Sequence, residues 1–478
     1  MNDHTPAPHL FIDGEWISGQ SRASQPLLNP ATEQEIGRLP HATRDDLDVA
    51  LASSERAFRT WKTIAPYDRA KILKRAADLI RERAEPIARK ITEEQGKAIG
   101  EARGEVLGAA DTFEWYAEEG RRAYGRVIPS REQGHRWLVV KEPVGPVAAF
   151  SPWNFPAMLS SRKIAAALAA GCSCIIKPAE ETPSAALAFA KALQDAGLPD
   201  GVLNVVFGVP GDISSYLIAS PVIKKLTFTG STVIGKHLAR LAADGMKKAT
   251  FELGGHSPVI VFDDVDVQKV VQILITGKFR NAGQVCIAPT RFYVQEGIYD
   301  RFVQAFAEAS DALRVGNGMD PESQMGAMAN PRRIEAMERL VANADDKGAK
   351  VLAGGRRAAD KGHFWRPTLL GRVPNDAAVM NEEPFGPIAI ANPFSTLEEA
   401  VTQANRLPFG LASYAFTESQ KRSIAVANAL ESGVVGINNL TVSIAEAPFG
   451  GIKESGYGSE AGQEGLEAFL NTKFISEM

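Results

Sequence analysis

Val147-Ala148-Ala149-Phe150 is followed by a mostly apolar run from Arg162 to Ala170, by Gly171, and by Cys172-Ser173-Cys174-Ile175-Ile176. The period changes twice along this stretch. A short continuous apolar strand gives way to a helix closed by glycine, and a second buried strand follows. Downstream the pattern repeats. Thr182-Pro183 opens a helix to Asp195, with Gly197 just past its end, and Asn204 to Phe207 is the next strand. Leu226-Thr227-Phe228-Thr229 is another, and Gly230 leads into a helix through Leu241. Strands that are apolar throughout, separated by helices, predict a parallel sheet covered on both faces. A second series runs from Pro258-Val259-Ile260-Val261-Phe262 through Arg291-Phe292-Tyr293-Val294, Val351-Leu352, Ile388-Ala389-Ile390 and Val434-Val435-Gly436-Ile437. The fold class is therefore α/β, with two units meeting near residues 250–258. Residues 45–122 carry Ala50, Ala57, Phe58, Ile72, Leu73, Leu79 and Ile80 at helical spacing and read as helical. The segment Arg126 to Val140 and the last part of the chain belong to neither series.

A chain of 478 residues is too long for one hydrophobic core. Its 45% hydrophobic and 23% charged residues are those of an ordinary globular protein. The formal charge of −4 is spread along the chain, which argues against nucleic acid or an anionic membrane as the main partner. Cys172, Cys174 and Cys286 are too few for a disulfide framework and suggest a reducing compartment. Met1 to Trp16 carries Asp3, Asp13 and Glu15 and has no apolar centre, so it is not read as an export signal. The longest apolar stretch, Ile164 to Ile176, is too short to span a bilayer. A cytoplasmic location is the expectation.

Among the cysteines, Cys172 and Cys174 sit in an apolar strand and read as inert core, and their spacing does not suit a metal; no metal site is expected. Cys286 differs. It ends Phe279-Arg280-Asn281-Ala282-Gly283-Gln284-Val285-Cys286, a polar, small-residue context open to a ligand. A thiolate adds to a carbonyl carbon, and the adduct can release hydride to a cofactor. Such chemistry needs a base and donors for the developing oxyanion. Glu252 lies between Phe251 and Leu253 and precedes Gly254-Gly255; a desolvated carboxyl of this kind has a raised pKa. Asn154, in Pro152-Trp153-Asn154-Phe155-Pro156, follows the strand Val147 to Phe150, where open parallel sheets bind ligands. Taken singly, Glu252 is also consistent with a structural carboxylate and Asn154 with a packed turn.

The order and spacing of seven motifs resemble the aldehyde dehydrogenase superfamily. They are Pro152-Trp153-Asn154-Phe155-Pro156, Lys177-Pro178-Ala179-Glu180-Glu181-Thr182-Pro183, Phe228-Thr229-Gly230-Ser231, Glu252-Leu253-Gly254-Gly255, Gly283-Gln284-Val285-Cys286, Glu382-Glu383-Pro384-Phe385-Gly386-Pro387 and Pro448-Phe449-Gly450-Gly451. The resemblance runs from about residue 10 to the end. It implies oxidation of an aldehyde to an acid, with Cys286 as nucleophile, Glu252 as general base, and Asn154 with the Cys286 N–H as oxyanion hole. Glu460 matches a second acidic position sometimes given a proton-relay role. Pro152 and Trp153 flank the implied cofactor site. There Gly230 and Ser231 open a helix toward the pyrophosphate, Ser231 reading equally well as an N-cap. Lys177 resembles the ligand of the adenosine ribose, Glu383 that of the nicotinamide ribose, and Phe385 the residue against the ring; on composition alone Lys177 and Glu383 read as surface charges. Glu180 can accept from a ribose 2′-hydroxyl and would repel a 2′-phosphate, so NAD is expected over NADP.

The resemblance implies an α/β fold in three parts. These are a Rossmann-like cofactor domain (1–123 and 143–251), a catalytic domain (252–438), and a β oligomerisation arm (124–142 and 439–478). Exposed arm edges favour pairing into a homodimer or homotetramer. Arg162, Arg280 and Ser443 match positions at which succinate-semialdehyde dehydrogenases hold a substrate carboxylate, a role suited to the planar guanidinium fork. Succinate semialdehyde is the first candidate; 2-oxoglutarate semialdehyde and broad-range aldehydes are the alternatives. Many of those enzymes carry a second cysteine two residues after the nucleophile, where this chain has Ala288, so no local disulfide switch is available. A cysteine-dependent esterase or thioesterase, or a silent binding protein, remains the competing class.

Overall fold

A computed structural model describes residues 6–19 and 21–478. The opening residues of the Met1 to Trp16 segment, and the start of the domain expected from residue 1, lie outside them.

Among the described residues, the larger of two main sheets has eight strands. Its parallel centre runs Leu203–Val205, Cys174–Lys177, Val147–Phe150, Lys225–Thr229 and Lys248–Glu252. Antiparallel strands flank it, Leu10–Ile12 with Glu15–Ile17 on one side and Gly456–Tyr457 on the other. Val147–Phe150 lies between the strand that follows it and one that comes much later, so the strand order reverses beside it. Open α/β sheets bind ligands outside the carboxyl ends of the strands at such a point. All four residues of Val147–Phe150 are buried, as a strand covered by helices on both faces requires.

The second sheet begins at Ser257–Val261, five residues after the parallel centre of the first ends, and runs parallel except at Lys350–Ala353. The stretch 45–122 forms four helices: Arg44–Trp61, Pro66–Glu82, Ala84–Gln95 and Ile99–Gly120. A three-stranded antiparallel sheet joins Arg126–Ile128, Arg136–Pro143 and Leu470–Glu477. Its outer strands carry exposed Val127 and Phe474.

Three expectations differ from the structure. The helix read as beginning at Arg162 is Pro156–Ala170; proline, which needs no N–H donor in a first turn, starts it six residues earlier. Ser24–Leu28 and Glu35–Pro40 form an unforeseen hairpin. Within 439–478, only Leu470–Glu477 joins the strands of 124–142; Phe449 and Glu460 bridge each other deep in the body, and both are buried. The apolar Phe449 and the turn glycines around it pack inward, which holds this length of chain beside the site.

Candidate active site

The carboxyl ends of the central strands carry the expected residues side by side. Lys177 pairs in register with Phe150, Phe228 with both Phe150 and Phe251, and Glu252 with Thr229. A cleft of about 270 Å³ opens over these ends, lined by Pro152, Trp153, Lys177, Glu180 and Gly230. Lys177 and Glu180 form an ion pair within it. Burial raises the Glu180 pKa and the Lys177 charge opposes the rise. Ser231 takes the N-cap position of the helix Thr232–Asp244, yet its side chain caps nothing. The positive end of that helix therefore remains available to an anion. Farther along, Trp153 meets Phe385 edge-on at 5.4 Å, and Glu383 Oε1 accepts from the Gly255 N–H at 3.1 Å. Burial pushes the Glu383 carboxyl up to about 7, against the Gly255 N–H, Arg333 and Lys278. A cleft with a lysine, a free helix start and the Trp153 ring suits a nucleotide's ribose, phosphate and base.

Cys286 lines a second cavity, of about 380 Å³. Arg162, Arg280, Ser443 and Cys286 all line it, between apolar walls that include Phe155, Leu159 and Phe449. Arg162 is 3% exposed, donates to Ser443 Oγ at 2.6 Å and lies over the Phe449 ring at 4.8 Å. Its Nε is buried without a hydrogen-bond partner among the described residues. Arg280 is exposed and also lines a wider vestibule of about 610 Å³ outside. The two arginines are therefore not equivalent: one is inside the cavity, the other at its mouth.

Cys286 follows a short 3-10 turn, Arg280–Gly283, in which Asn281, Ala282 and Gly283 have φ of 51°, 51° and 69°. Such backbone favours glycine, and at Gly283 a Cβ would come within 2.3 Å of the Gly386 carbonyl oxygen. The turn is held by side chains: both Glu101 oxygens accept from the Asn281 N–H at 3.1 Å, and Asn281 Nδ2 donates to Asn154 O at 2.8 Å. Asn154 Nδ2 donates to Gln284 O at 3.0 Å, two residues before the sulfur, which leaves its second amide hydrogen for another acceptor. Burial pushes the Cys286 thiol up to about 12, with the charges of Glu383 and Glu252 adding and those of Arg162 and Arg280 opposing. By contrast Cys172 and Cys174 are fully buried.

Glu252 is 2% exposed, and neither of its oxygens has a hydrogen-bond partner among the described residues. Burial, then the Glu460 charge, raises its pKa well above the usual carboxylate range, with Lys163 and Arg162 opposing. Glu460 is ion-paired with Lys163, whose Nζ also donates to Thr229 Oγ1 at 2.7 Å. Sequence reasoning passed over Lys163, Lys97, Glu101, Glu105 and Asn281. The available signal was a pair of cations, Arg162 and Lys163, inside an otherwise uncharged, almost wholly buried helix.

Comparison with known proteins agrees with this geometry. The model of the aldehyde dehydrogenase family matches residues 16–475. A 4-(hydroxymethyl)benzenesulfonate dehydrogenase of Comamonas testosteroni is 51% identical over 468 residues, 98% of each chain. The succinate-semialdehyde dehydrogenase (NADP+) of Escherichia coli K12 is 42% identical over 97% of this chain and 96% of its own. The crystal structure of an E. coli NADP-dependent enzyme superposes with a TM-score of 0.98 at 41% identity, covering 100% of this chain and 99% of that one. An α/β sheet pair, a cleft over the strand ends beside a helix start, and a cysteine lining a separate cavity thus coincide with full-length similarity: this chain belongs to the aldehyde dehydrogenase family.

Proposed function

We propose that the chain oxidises an aldehyde bearing a distal anionic group, with succinate semialdehyde as first candidate, and that Cys286 is its nucleophile. One observation carries this reading: Arg162, with an unpartnered buried Nε, shares the Cys286 cavity with Ser443 and Arg280. A buried guanidinium without a carboxylate partner is costly, and a substrate anion would satisfy it. The family's activity, aldehyde oxidation with NAD(P), then proceeds as follows. The Cys286 thiol loses its proton to solvent as the sulfur bonds to the aldehyde carbon, and the carbonyl oxygen takes up negative charge between the Asn154 amide and the Cys286 N–H. A nicotinamide dinucleotide, which Lys177, Glu180, the Gly230-Ser231 helix start and Glu383 would hold, would supply the acceptor for the hydride on that carbon, whose loss would leave a thioester on Cys286. Glu252 takes a proton from a water that attacks the thioester, releasing the acid and the Cys286 thiolate. The Glu460 carboxylate, ion-paired with Lys163 and beside Glu252, accepts the proton onward.

The raised Glu252 pKa has a direction. The carboxylate form of Glu252 gains population as pH rises, so deacylation speeds up with pH well above the usual carboxylate range. Glu252→Gln flattens that limb; an unchanged profile excludes Glu252 as the base.

Arg162→Ala tests the anion. It raises KM for succinate semialdehyde roughly 10- to 100-fold, as loss of a charge-assisted bond implies. KM for butanal stays within about threefold. An equal change for both substrates contradicts the reading. A second substrate is favoured by the aromatic and aliphatic walls and by the benzenesulfonate relative: an aromatic aldehyde carrying a sulfonate or carboxylate. The same assay with 4-formylbenzenesulfonate separates the two by kcat/KM.

For the cofactor, the Glu180 carboxylate beside Lys177 supports NAD over NADP, although the E. coli relative is named for NADP+. Higher kcat/KM with NADP contradicts that preference. The open edges of the three-stranded sheet support pairing with a second copy of the chain. No helix of the described residues is long and apolar enough to cross a membrane.

A further inference from the structure

Asn154 stands on an irregular turn, and the following helix Pro156–Ala170 receives no side-chain cap from Phe155. Its fixity comes from elsewhere. Lys97 Nζ, with no side-chain exposure, donates to Asn154 O at 2.8 Å, lies over the Phe155 ring at 4.1 Å and is ion-paired with Glu105. Glu105 Oε1 accepts from the Ala157 N–H at 2.7 Å and the Met158 N–H at 3.1 Å, which caps the first turn of that helix from outside. One turn earlier on the helix Ile99–Gly120, Glu101 holds the Asn281 N–H, and Asn281 in turn shares the Asn154 carbonyl with Lys97. Two carboxylates at i and i+4 thus grip two separate turns, one bearing Asn154 and one leading to Cys286.

We propose that Lys97 and Glu105 are positioning residues that aim the Asn154 amide at the oxyanion formed on Cys286, with Glu101 setting the facing turn. This rests on the reading of Asn154 as an oxyanion donor. A displacement of about 1 Å at such a donor lowers the rate roughly 100-fold while leaving ground-state binding alone.

A double-mutant cycle in the intact enzyme tests it, read as the single-turnover rate of NADH formation with succinate semialdehyde. Lys97→Met lowers that rate about 10- to 100-fold with aldehyde and NAD KM within about threefold, and Lys97→Arg restores part of it. In an Asn154→Ala background the same change costs less than about threefold, because the group it positions is gone. Should Lys97→Met not fold, the charge-neutral pair Lys97→Met with Glu105→Gln runs the same cycle, and Glu105→Gln alone provides a milder third arm. Effects that multiply in full, or a Lys97→Met enzyme with the wild-type rate, overturn the positioning role. An Asn154→Ala enzyme at the wild-type rate instead overturns the oxyanion reading, and the positioning role with it.

Discussion

The strand Cys174–Lys177 and the turn Arg280–Gly283 lead to the two sides of the same site, and they are built by opposite means. The strand is regular and buried, paired on both sides by parallel neighbours, and its end delivers Lys177 to the cleft by periodicity alone. The turn has three consecutive residues at positive φ and delivers Cys286 through side-chain bonds from a helix near residue 100. Burial pushes the Cys172 thiol up to about 11, and neither of the two clefts described reaches it. Cys286 lines the cavity that also holds Arg162. Chemistry thus depends on where a cysteine sits, and irregular backbone is what puts one there.

The largest expected effect separates the two regions outright. Cys286→Ser lowers turnover at least about 1,000-fold. Cys174→Ala leaves turnover within about twofold and costs about 1 kcal/mol of stability, since only a small buried group is lost. Steady-state kinetics and denaturant melts of both variants check the pair. If both lose activity alike, the contrast collapses.

Next in size is the turn itself. Gly283→Ala puts a methyl group 2.3 Å from the Gly386 oxygen at a φ of +69°, so the turn must shift. We expect a fall in kcat of about 10- to 100-fold, with cofactor binding measured by fluorescence unchanged. A wild-type kcat shows that the strain is irrelevant to Cys286.

The smallest effect is on stability, below the strand. Lys225 donates to Thr250 Oγ1 at 2.7 Å and is 1% exposed, and burial pushes its ammonium down to about 7. In the unfolded chain it titrates near 10.4. Between these values the unfolded chain holds the extra proton, so this group makes stability rise with pH across that window. Lys225→Met removes the dependence. It raises the thermal midpoint by roughly 2–4 °C at pH 7, and the gain fades by about pH 10. A gain that is constant with pH contradicts a neutral buried lysine.

The same contrast explains what was legible in the sequence. Val147–Phe150 appears with the bounds read from it, because a fully buried strand is a continuous apolar run. Cys286, Glu252 and Asn154 were singled out by motif, and the structure holds Asn154 against the turn that leads to Cys286, with the Glu252 charge acting on the Cys286 thiol. Lys97, Glu101 and Glu105 were not found. On a helix at ordinary spacing they look like solvated charges, and only the approach of distant turns shows that each satisfies a specific N–H or carbonyl. The course of the tail was not legible for a related reason. Ser443 and Glu460 sit in glycine-rich chain without periodicity, and nothing local tells such a segment whether to join the arm or to run across the site.

The central claim is that the aldehyde carbon becomes bonded to the Cys286 sulfur and leaves only with Glu252 acting as base. Intact-mass and peptide mass spectrometry of the Glu252→Gln enzyme, mixed with NAD and succinate semialdehyde, tests it directly. The account predicts a stable acyl mass increment on the peptide containing Cys286, formed together with one equivalent of NADH. NADH production with no added mass, or an increment on Cys172 or Cys174, would contradict it.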